Sequence, residues 1–273
     1  MIRALFRLIR LRLAVLNGIA AWGGYLLFPG EPALVPMVAS LCGVALLAAG
    51  GSAINQVQER DIDRLMARTR LRPIPLGNLT TLTASGIGGG CILAGLITLT
   101  ATGGILPALI GAAALVWYLA VYTPLKRRTP FALAIGALCG AFPPVIGWMI
   151  AGGAPFDFRA ILLAGLFYLW QVPHFWLFQR RHADDYRCAG IMQFGARMTG
   201  TASSGLCRLW IVALVAGAML LPAFGIIRSH VAFWYAAFPC ALLLMLRFRS
   251  EAVLASGLNL FPLLVTLALV FQK

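Results

Sequence analysis

Long, uninterrupted apolar runs separated by short polar connections dominate the chain. The runs do not alternate apolar and polar residues, which argues against the strands of an outer-membrane barrel and favours helices. A helix that spans a membrane needs about 20 apolar residues. By that measure we predict nine such helices. They cover residues 11–29, 34–57, 79–100, 104–123, 130–152, 160–179, 202–222, 229–246 and 252–271.

The composition supports this interpretation. Of the 273 residues, 61% are hydrophobic and 11% are charged, and the mean hydropathy is +0.89. A soluble domain carries about 25% charged residues, so the composition excludes a soluble domain and equally a disordered chain. With no internal repeat and no low-complexity tract, we expect one polytopic domain over residues 1–273. The predicted fold class is an all-α membrane protein with about nine transmembrane helices.

The basic residues indicate topology. There are 22 Lys and Arg against 8 Asp and Glu, a formal net charge of +14. In a membrane protein such an excess marks the cytoplasmic side, so we expect no nucleic-acid partner. If the N-terminus lies inside, 19 of the 22 cations fall inside and only Arg159, Arg228 and Lys273 fall outside. We therefore predict an N-in, C-out protein. We interpret the basic first residues as a juxtamembrane anchor. Because no long presequence precedes the first predicted helix, we expect a bacterial inner membrane and not a mitochondrial one.

A first cluster of acidic residues lies at the C-terminal end of the second predicted helix. Asn55, Glu59 and Asp63 are spaced i, i+4 and i+8, so a continuous helix would place them on one face over about 12 Å. Oxygen ligands coordinate Mg²⁺, and arginine guanidinium groups hydrogen-bond phosphate oxygens. The alternative is a solvated helix end with salt bridges, and spacing alone does not decide between the two. Arginines repeat every four residues alongside this face, at Arg60, Arg64, Arg68 and Arg72.

A second acidic cluster follows the sixth predicted helix. Asp184 and Asp185 lie between Arg181 and Arg187, on the same predicted side of the membrane as the first cluster. By itself this pattern is most simply a polar loop. Two clusters on one side could hold two or three Mg²⁺ ions and bridge one diphosphate.

Polar residues also interrupt the sixth predicted helix. Gln171 and His174 flank Pro173, and intramembrane polar residues usually face the protein interior. We predict a cavity wall here, with aromatic surface from Trp170 and Phe175. An interfacial aromatic belt with one satisfied histidine and a haem-ligating His174 remain alternatives.

A basic loop follows the fourth predicted helix, at residues 122–129. Its Lys126 could reach a diphosphate bound at the same membrane face. The alternative is a plain topology marker, as for Arg127 and Arg128.

Four stretches of the chain resemble the UbiA superfamily of intramembrane prenyltransferases, and within it the branch that prenylates haem. They are residues 61–73, 122–130, 143–148 and 170–191. The sequences WQVPHF and DDYRCAG carry the likeness to the haem branch, whereas the last three helices match only in hydrophobicity. The sequence departs from the superfamily pattern at Glu59, where the middle residue of the first motif is Asp. It departs from the haem branch at 191–195 and at Arg10-Leu11-Arg12, where that branch often has Lys-Pro-Arg.

The resemblance implies a helical bundle around a central cavity and Mg²⁺-dependent transfer of a farnesyl group from farnesyl diphosphate to a vinyl group of haem B, which yields haem O for terminal oxidases. The implied partners are these two substrates and the lipid bilayer. The implied Mg²⁺ ligands are Asn55, Glu59, Asp63, Asp184 and Asp185, with Asp61 as a further ligand or as a partner of one. The implied diphosphate contacts are Arg12, Arg68, Arg72 and Lys126. The implied pocket for the acceptor and the allylic cation is formed by Tyr122, Trp170, Gln171, His174 and Phe175.

Two alternative functions stay open. A UbiA-type enzyme could act on a quinone precursor or another tetrapyrrole, which the altered 191–195 segment favours and WQVPHFW opposes. A transporter or scaffold is the third possibility, but the chain shows neither repeated halves nor an acid in the middle of a predicted helix.

Overall fold

The structure is a computed structural model that describes residues 1–194, 201–246 and 251–273, and it describes residues 201–204 without their side chains. This part of the chain is helical and contains no strand. Several residues used in the sequence arguments lie outside it: Gly195, Arg197, Arg247 and Arg249.

Fourteen α-helices form the described chain, with one π-helical turn and one 3₁₀ turn between them. The helices are α1 (Ile2–Leu8), α2 (Leu11–Leu27), α3 (Leu34–Gln58), α4 (Arg60–Asp63), α5 (Thr81–Gly103), α6 (Ile105–Val116), α7 (Thr123–Leu125), α8 (Ala132–Ala137), α9 (Phe142–Ile150), α10 (Phe158–Arg181), α11 (Ala183–Cys188), α12 (Thr201–Ala223), α13 (Ser229–Met245) and α14 (Glu251–Phe271). The π turn is Trp117–Tyr122, and the 3₁₀ turn is Leu138–Gly140.

The predicted all-α membrane fold is confirmed. Seven helical stretches in the described residues are long and apolar enough to cross a membrane, and α2 and α13 are shorter apolar helices. Each of the nine predicted segments coincides with helix, and two of these are not single regular helices. The fourth runs through the π turn into α7, and the fifth is broken between α8 and α9 by the 3₁₀ turn. The N-in, C-out orientation stays a prediction.

Close contacts between backbones bring the helices around the site together. A Cβ added at Gly24 of α2 would lie 1.9 Å from the carbonyl oxygen of Pro144, and one at Gly147 of α9 would lie 1.7 Å from that of Ala21. Only glycine permits this approach, which is how membrane helices commonly pack when small residues meet. The α2–α9 pair therefore forms a tight wall, with α3 packed against α2 and α5.

Candidate active site

A cavity of about 230 Å³ lies among α3, the α6–α7 stretch, α8, α9 and α10. One end is lined by charged side chains from the ends of α3 and α7 and from the turns after α4. The opposite end is lined by aliphatic side chains and glycine from α3, α6 and α9. The cavity therefore suits a molecule with a polar head and an apolar tail.

The first acidic motif lines the charged end as the sequence predicts. Asn55, Glu59 and Asp63 all face the cavity and are 4%, 2% and 0% exposed. Although α3 ends at Gln58, the backbone N–H of Glu59 donates to the Asn55 carbonyl (3.0 Å) and that of Asp63 donates to the Glu59 carbonyl (2.8 Å). These i to i+4 bonds keep the three side chains on one face across the break.

Each of these side chains has a polar partner. The Asn55 amide donates to Thr123 Oγ1 at 3.0 Å, and Lys126 Nζ donates to Glu59 Oε2 at 2.5 Å. Arg72 donates to both carboxylate oxygens of Asp63, at 2.8 and 2.7 Å. The second oxygen of Glu59, Oε1, is buried and has no hydrogen-bond partner among the residues that the structure describes. An unpaired buried carboxylate oxygen is costly, so Glu59 Oε1 is a position where a cation or a donor from a ligand would be stabilised.

Three of the four predicted diphosphate contacts line the same end: Arg68, Arg72 and Lys126. The Arg68 guanidinium lies 5.1 Å from the centre of the Phe178 ring. Burial lowers the pKa of the Lys126 ammonium, and the neighbouring Glu59 carboxylate opposes that shift. The chain turns after Asp63 instead of continuing as a helix, so the predicted arginine stripe is divided. Arg68 and Arg72 line the cavity, whereas Arg60 and Arg64 do not.

The fourth predicted contact, Arg12, is exposed and does not line the cavity, whereas Arg10 does. Residues two apart point to different sides of a helix, so the sequence could not choose between these two arginines. Arg10 has φ 48° and ψ 54°, and it is the only non-glycine residue with positive φ in the described part of the chain. Such a conformation is strained and persists only where the surroundings impose it.

Two hydrogen bonds from α3 help to impose the strained backbone conformation of Arg10. Gln56 Nε2 donates to the carbonyls of Leu8 (2.6 Å) and Arg7 (3.2 Å), which fixes the end of α1 just before the strained residue. Gln56 itself is fully buried. Arg10 is therefore held at the charged end of the cavity by its backbone.

We expect Arg10→Ala to raise the KM for a prenyl diphosphate, the donor that the resemblance to the UbiA superfamily implies, about tenfold, since a hydrogen bond to a charged group contributes about 1.5–3 kcal/mol. Steady-state kinetics in membranes would measure this, with Arg3→Ala as the matched control because Arg3 lies outside this cavity. We expect Arg12→Ala to raise the KM much less. An equal effect of Arg10→Ala and Arg12→Ala would contradict the placement of Arg10.

The remaining predicted metal ligands do not face the cavity. The Asp184 side chain is 93% exposed and pairs with Arg187 at 3.1 Å. The Asp185 carboxylate accepts from the backbone N–H groups of Ala67 (2.8 Å) and Arg68 (3.2 Å). Within the described ranges, no three His, Cys, Asp or Glu side chains come together as a metal cluster. In this structure Asp185 joins the two acidic motifs by holding the backbone at Ala67 and Arg68.

Asp61 also lies away from the cavity, since it is two residues from both Glu59 and Asp63 and so falls on a different face. Its carboxylate accepts from both terminal nitrogens of Arg127, at 2.8 and 2.9 Å. This pairing lowers the pKa of the Asp61 carboxyl. In the structure Asp61 therefore forms a surface ion pair. The resemblance had implied that it binds Mg²⁺ or contacts a residue that does.

The predicted aromatic wall is divided between two faces of α10. Gln171 and Phe175 line the cavity, but Trp170 and His174 do not. The Trp170 indole donates to the Leu258 carbonyl at 2.6 Å, and the His174 ring stacks on it at 4.9 Å. Trp170 thus joins α10 to α14, and His174, one turn further along α10, packs against its ring.

The π turn supplies aromatic residues on the opposite wall. Tyr122, which was predicted, and Tyr118, which was not, both line the cavity with their rings 6.0 Å apart. A Cβ at Gly136 would lie 2.4 Å from the Tyr122 ring, so this glycine admits the ring. A π turn adds a residue to the helix and so changes which side chains face inward, which a regular helical period does not reveal.

The protein is a membrane-embedded helical bundle whose apolar cavity has buried oxygen ligands and cations at its mouth. These features define an enzyme class that acts on phosphorylated, lipid-like substrates. The comparisons with known proteins agree. A model of the UbiA prenyltransferase family matches residues 16–269. The chain is 60% identical over 265 residues to a Geobacter sulfurreducens protein named protoheme IX farnesyltransferase, which covers 97% of both chains.

Two solved structures show the same fold. A UbiA homologue from Aeropyrum pernix K1 has a TM-score of 0.78 at 18% identity, covering 96% of this chain and 98% of its own. A UbiA homologue from Archaeoglobus fulgidus bound to GPP and Mg²⁺ has a TM-score of 0.72 at 16% identity, covering 98% of each chain. The chain belongs to the UbiA prenyltransferase family. The predicted family and the predicted class of enzyme are therefore confirmed.

Proposed function

We propose that this chain transfers a farnesyl group from farnesyl diphosphate to a vinyl group of protoheme IX, in a bacterial inner membrane with its acidic motifs on the cytoplasmic side. The observation that carries the proposal is the 60% identity, over 97% of both chains, to a protein named for this reaction. The cavity supports it, because the charged end suits a diphosphate and the apolar end suits a prenyl tail. Family membership sets aside the transporter or scaffold alternative.

The donor's diphosphate would lie among four cationic side chains, those of Arg10, Arg68, Arg72 and Lys126. Arginine forks bind phosphate oxygens in pairs, and Lys126 is already fixed at the cavity edge by Glu59. The tail would extend past Tyr118 toward the aliphatic end. The relative solved with GPP and Mg²⁺ supports this class of donor.

The residues present fit a Mg²⁺ ion at the charged end. Glu59 Oε1 is buried without a partner, and Asn55 and Asp63 present oxygens on the same face, which is the hard-oxygen set that Mg²⁺ prefers. When bound, Mg²⁺ supplies neutralisation of the diphosphate charge. Asp184 and Asp185 would have to move from their present partners to join this set.

The chain's own residues then account for the reaction. The bond between the farnesyl C1 and the diphosphate oxygen breaks heterolytically, and the cations at the mouth stabilise the leaving diphosphate. The rings of Tyr122 and Phe175 line the cavity and shield the allylic cation from water. The vinyl electrons form the new carbon–carbon bond, and water adds to the resulting cation on the haem side chain with loss of a proton. No side chain needs to act as a covalent nucleophile.

The haem acceptor is too large to be enclosed by the cavity. Ligand pockets that enclose a drug-sized molecule are about 300–1,000 Å³, whereas this cavity is about 230 Å³. A porphyrin and a prenyl tail do not fit together inside it. We therefore propose that only the vinyl edge of the haem enters the cavity, next to Tyr122 and Phe175.

Membranes containing the protein, supplied with haem B, farnesyl diphosphate and Mg²⁺, are expected to form hydroxyethylfarnesyl haem, which mass spectrometry detects. Chelation with EDTA should stop product formation, and added Mg²⁺ should restore it. Membranes from the same host without the protein are the control. Product on a quinone precursor and none on haem would overturn the proposed acceptor.

A further inference from the structure

A packed group of buried side chains lies at the apolar end of the cavity, and we call it the floor cluster: Val44, Leu47, Leu99, Ala108 and Ile146. Each of its members is at most 4% exposed. Val44, Leu47 and Ile146 also line the cavity, and Leu99 of α5 lies behind them. The apolar end of the cavity is therefore backed by close-packed, buried side chains.

A glycine lines this end of the cavity beside the floor cluster. A Cβ added at Gly111 of α6 would lie 2.6 Å from Leu47 Cδ1, 3.3 Å from Leu99 Cδ1 and 3.8 Å from Ile146 Cδ1. Because the nearest of these atoms is the far end of a leucine side chain, an alanine at 111 would displace Leu47 and reduce the space above the floor cluster. The hydrogen of Gly111 thus marks where the cavity stops.

The distance from the floor to the charged end is fixed by α3. Val44 and Glu59 are both on the cavity wall and lie fifteen residues apart along this helix, which corresponds to about 22 Å. A prenyl tail whose diphosphate is held at Glu59 and Lys126 therefore has a limited length in which to lie straight. A tail longer than this depth meets Gly111 and Leu47.

We propose that Gly111 and Leu47 set the length of the prenyl donor that this enzyme accepts. The proposal rests on the proposed function, because it assumes a prenyl diphosphate anchored at the charged end. It names the residues that select the length of the donor, which the proposed reaction does not specify.

Two substitutions test it in opposite directions. Gly111→Ala shortens the cavity and is expected to lower the ratio of kcat/KM for farnesyl over geranyl diphosphate about tenfold, the lower end of what one methylene determines in an apolar pocket. Leu47→Ala deepens the cavity and is expected to raise kcat/KM for geranylgeranyl relative to farnesyl diphosphate. Gly89→Ala of α5 is the matched control, since a Cβ there would meet no atom within 4 Å.

Binding measured without haem separates this proposal from the proposed function. Thermal stabilisation of the detergent-solubilised protein by each of the three diphosphates, with Mg²⁺, should show the same shifts in length preference. If wild type binds donors in this length-dependent way but makes no haem product, the acceptor is wrong and the length determinant stands. If Gly111→Ala and Leu47→Ala change all three donors equally, the tail leaves the cavity sideways past Leu13 and Asn17, and the length proposal is overturned. Should Gly111→Ala fail to fold, Leu47→Ala decides alone.

Discussion

Glu59→Gln is expected to lower the rate of prenyl transfer by about 10²-fold, the effect typical of removing one charge-stabilising group from an active site. Glutamine keeps the size of the side chain and removes its charge. Lys126 then faces a neutral amide, and the oxygen that has no partner in the present structure loses the charge with which it would hold a cation. The defect should therefore be in kcat and in the Mg²⁺ concentration needed.

Two further variants make this result specific. Glu59→Asp introduces the residue found at this position in the superfamily motif and should retain most of the activity. Glu251→Gln makes the same chemical change at a carboxylate that is 52% exposed and pairs with Arg180 at 2.7 Å, and it should have no effect. Stabilisation by farnesyl diphosphate with Mg²⁺ should be lost only in Glu59→Gln. Near-normal rates of prenyl transfer in Glu59→Gln would mean that Glu59 is not part of the active site.

The features that the sequence predicted well depend on local structure. The nine apolar runs coincide with helix because a backbone segment in a bilayer must satisfy its hydrogen bonds within itself, and seven of the helical stretches are long enough to span one. The row of Asn55, Glu59 and Asp63 was predicted correctly for a similar reason, since hydrogen bonds four residues apart set its spacing even where α3 ends.

The features that the sequence did not predict depend on partners distant in the chain. Arg10 faces the cavity because Gln56 of α3 holds the end of α1, and nothing near Arg10 in the sequence indicates that contact. The predicted metal-ligand role of Asp185 stays a prediction, but the sequence did not indicate that the loop after α4 offers its carboxylate two backbone N–H groups. Carboxylates and cations have several possible partners in a sequence, and packing decides among them.

Asp63→Leu is expected to abolish prenyl transfer and to lower the free energy of unfolding by about 3–5 kcal/mol, the usual cost of removing one partner of a buried ion pair. Asp63 is fully buried, and its partner Arg72 is only 15% exposed. The substitution leaves the Arg72 guanidinium buried beside an apolar side chain, so a loss of activity alone would not distinguish a missing ligand from a misfolded protein.

The double variant Asp63→Leu/Arg72→Met makes that distinction. Replacing both members of a buried ion pair with apolar residues of similar size is often neutral or stabilising, so unfolding in detergent should return close to that of wild type. Activity should not return, since the oxygen of Asp63 and the cation of Arg72 are both absent from the charged end of the cavity. A double variant that is stable and inactive assigns the Asp63–Arg72 pair to the chemistry. One that is stable and active would show that the pair serves only the fold, and would leave Asn55 and Glu59 as the oxygen ligands at the mouth of the cavity.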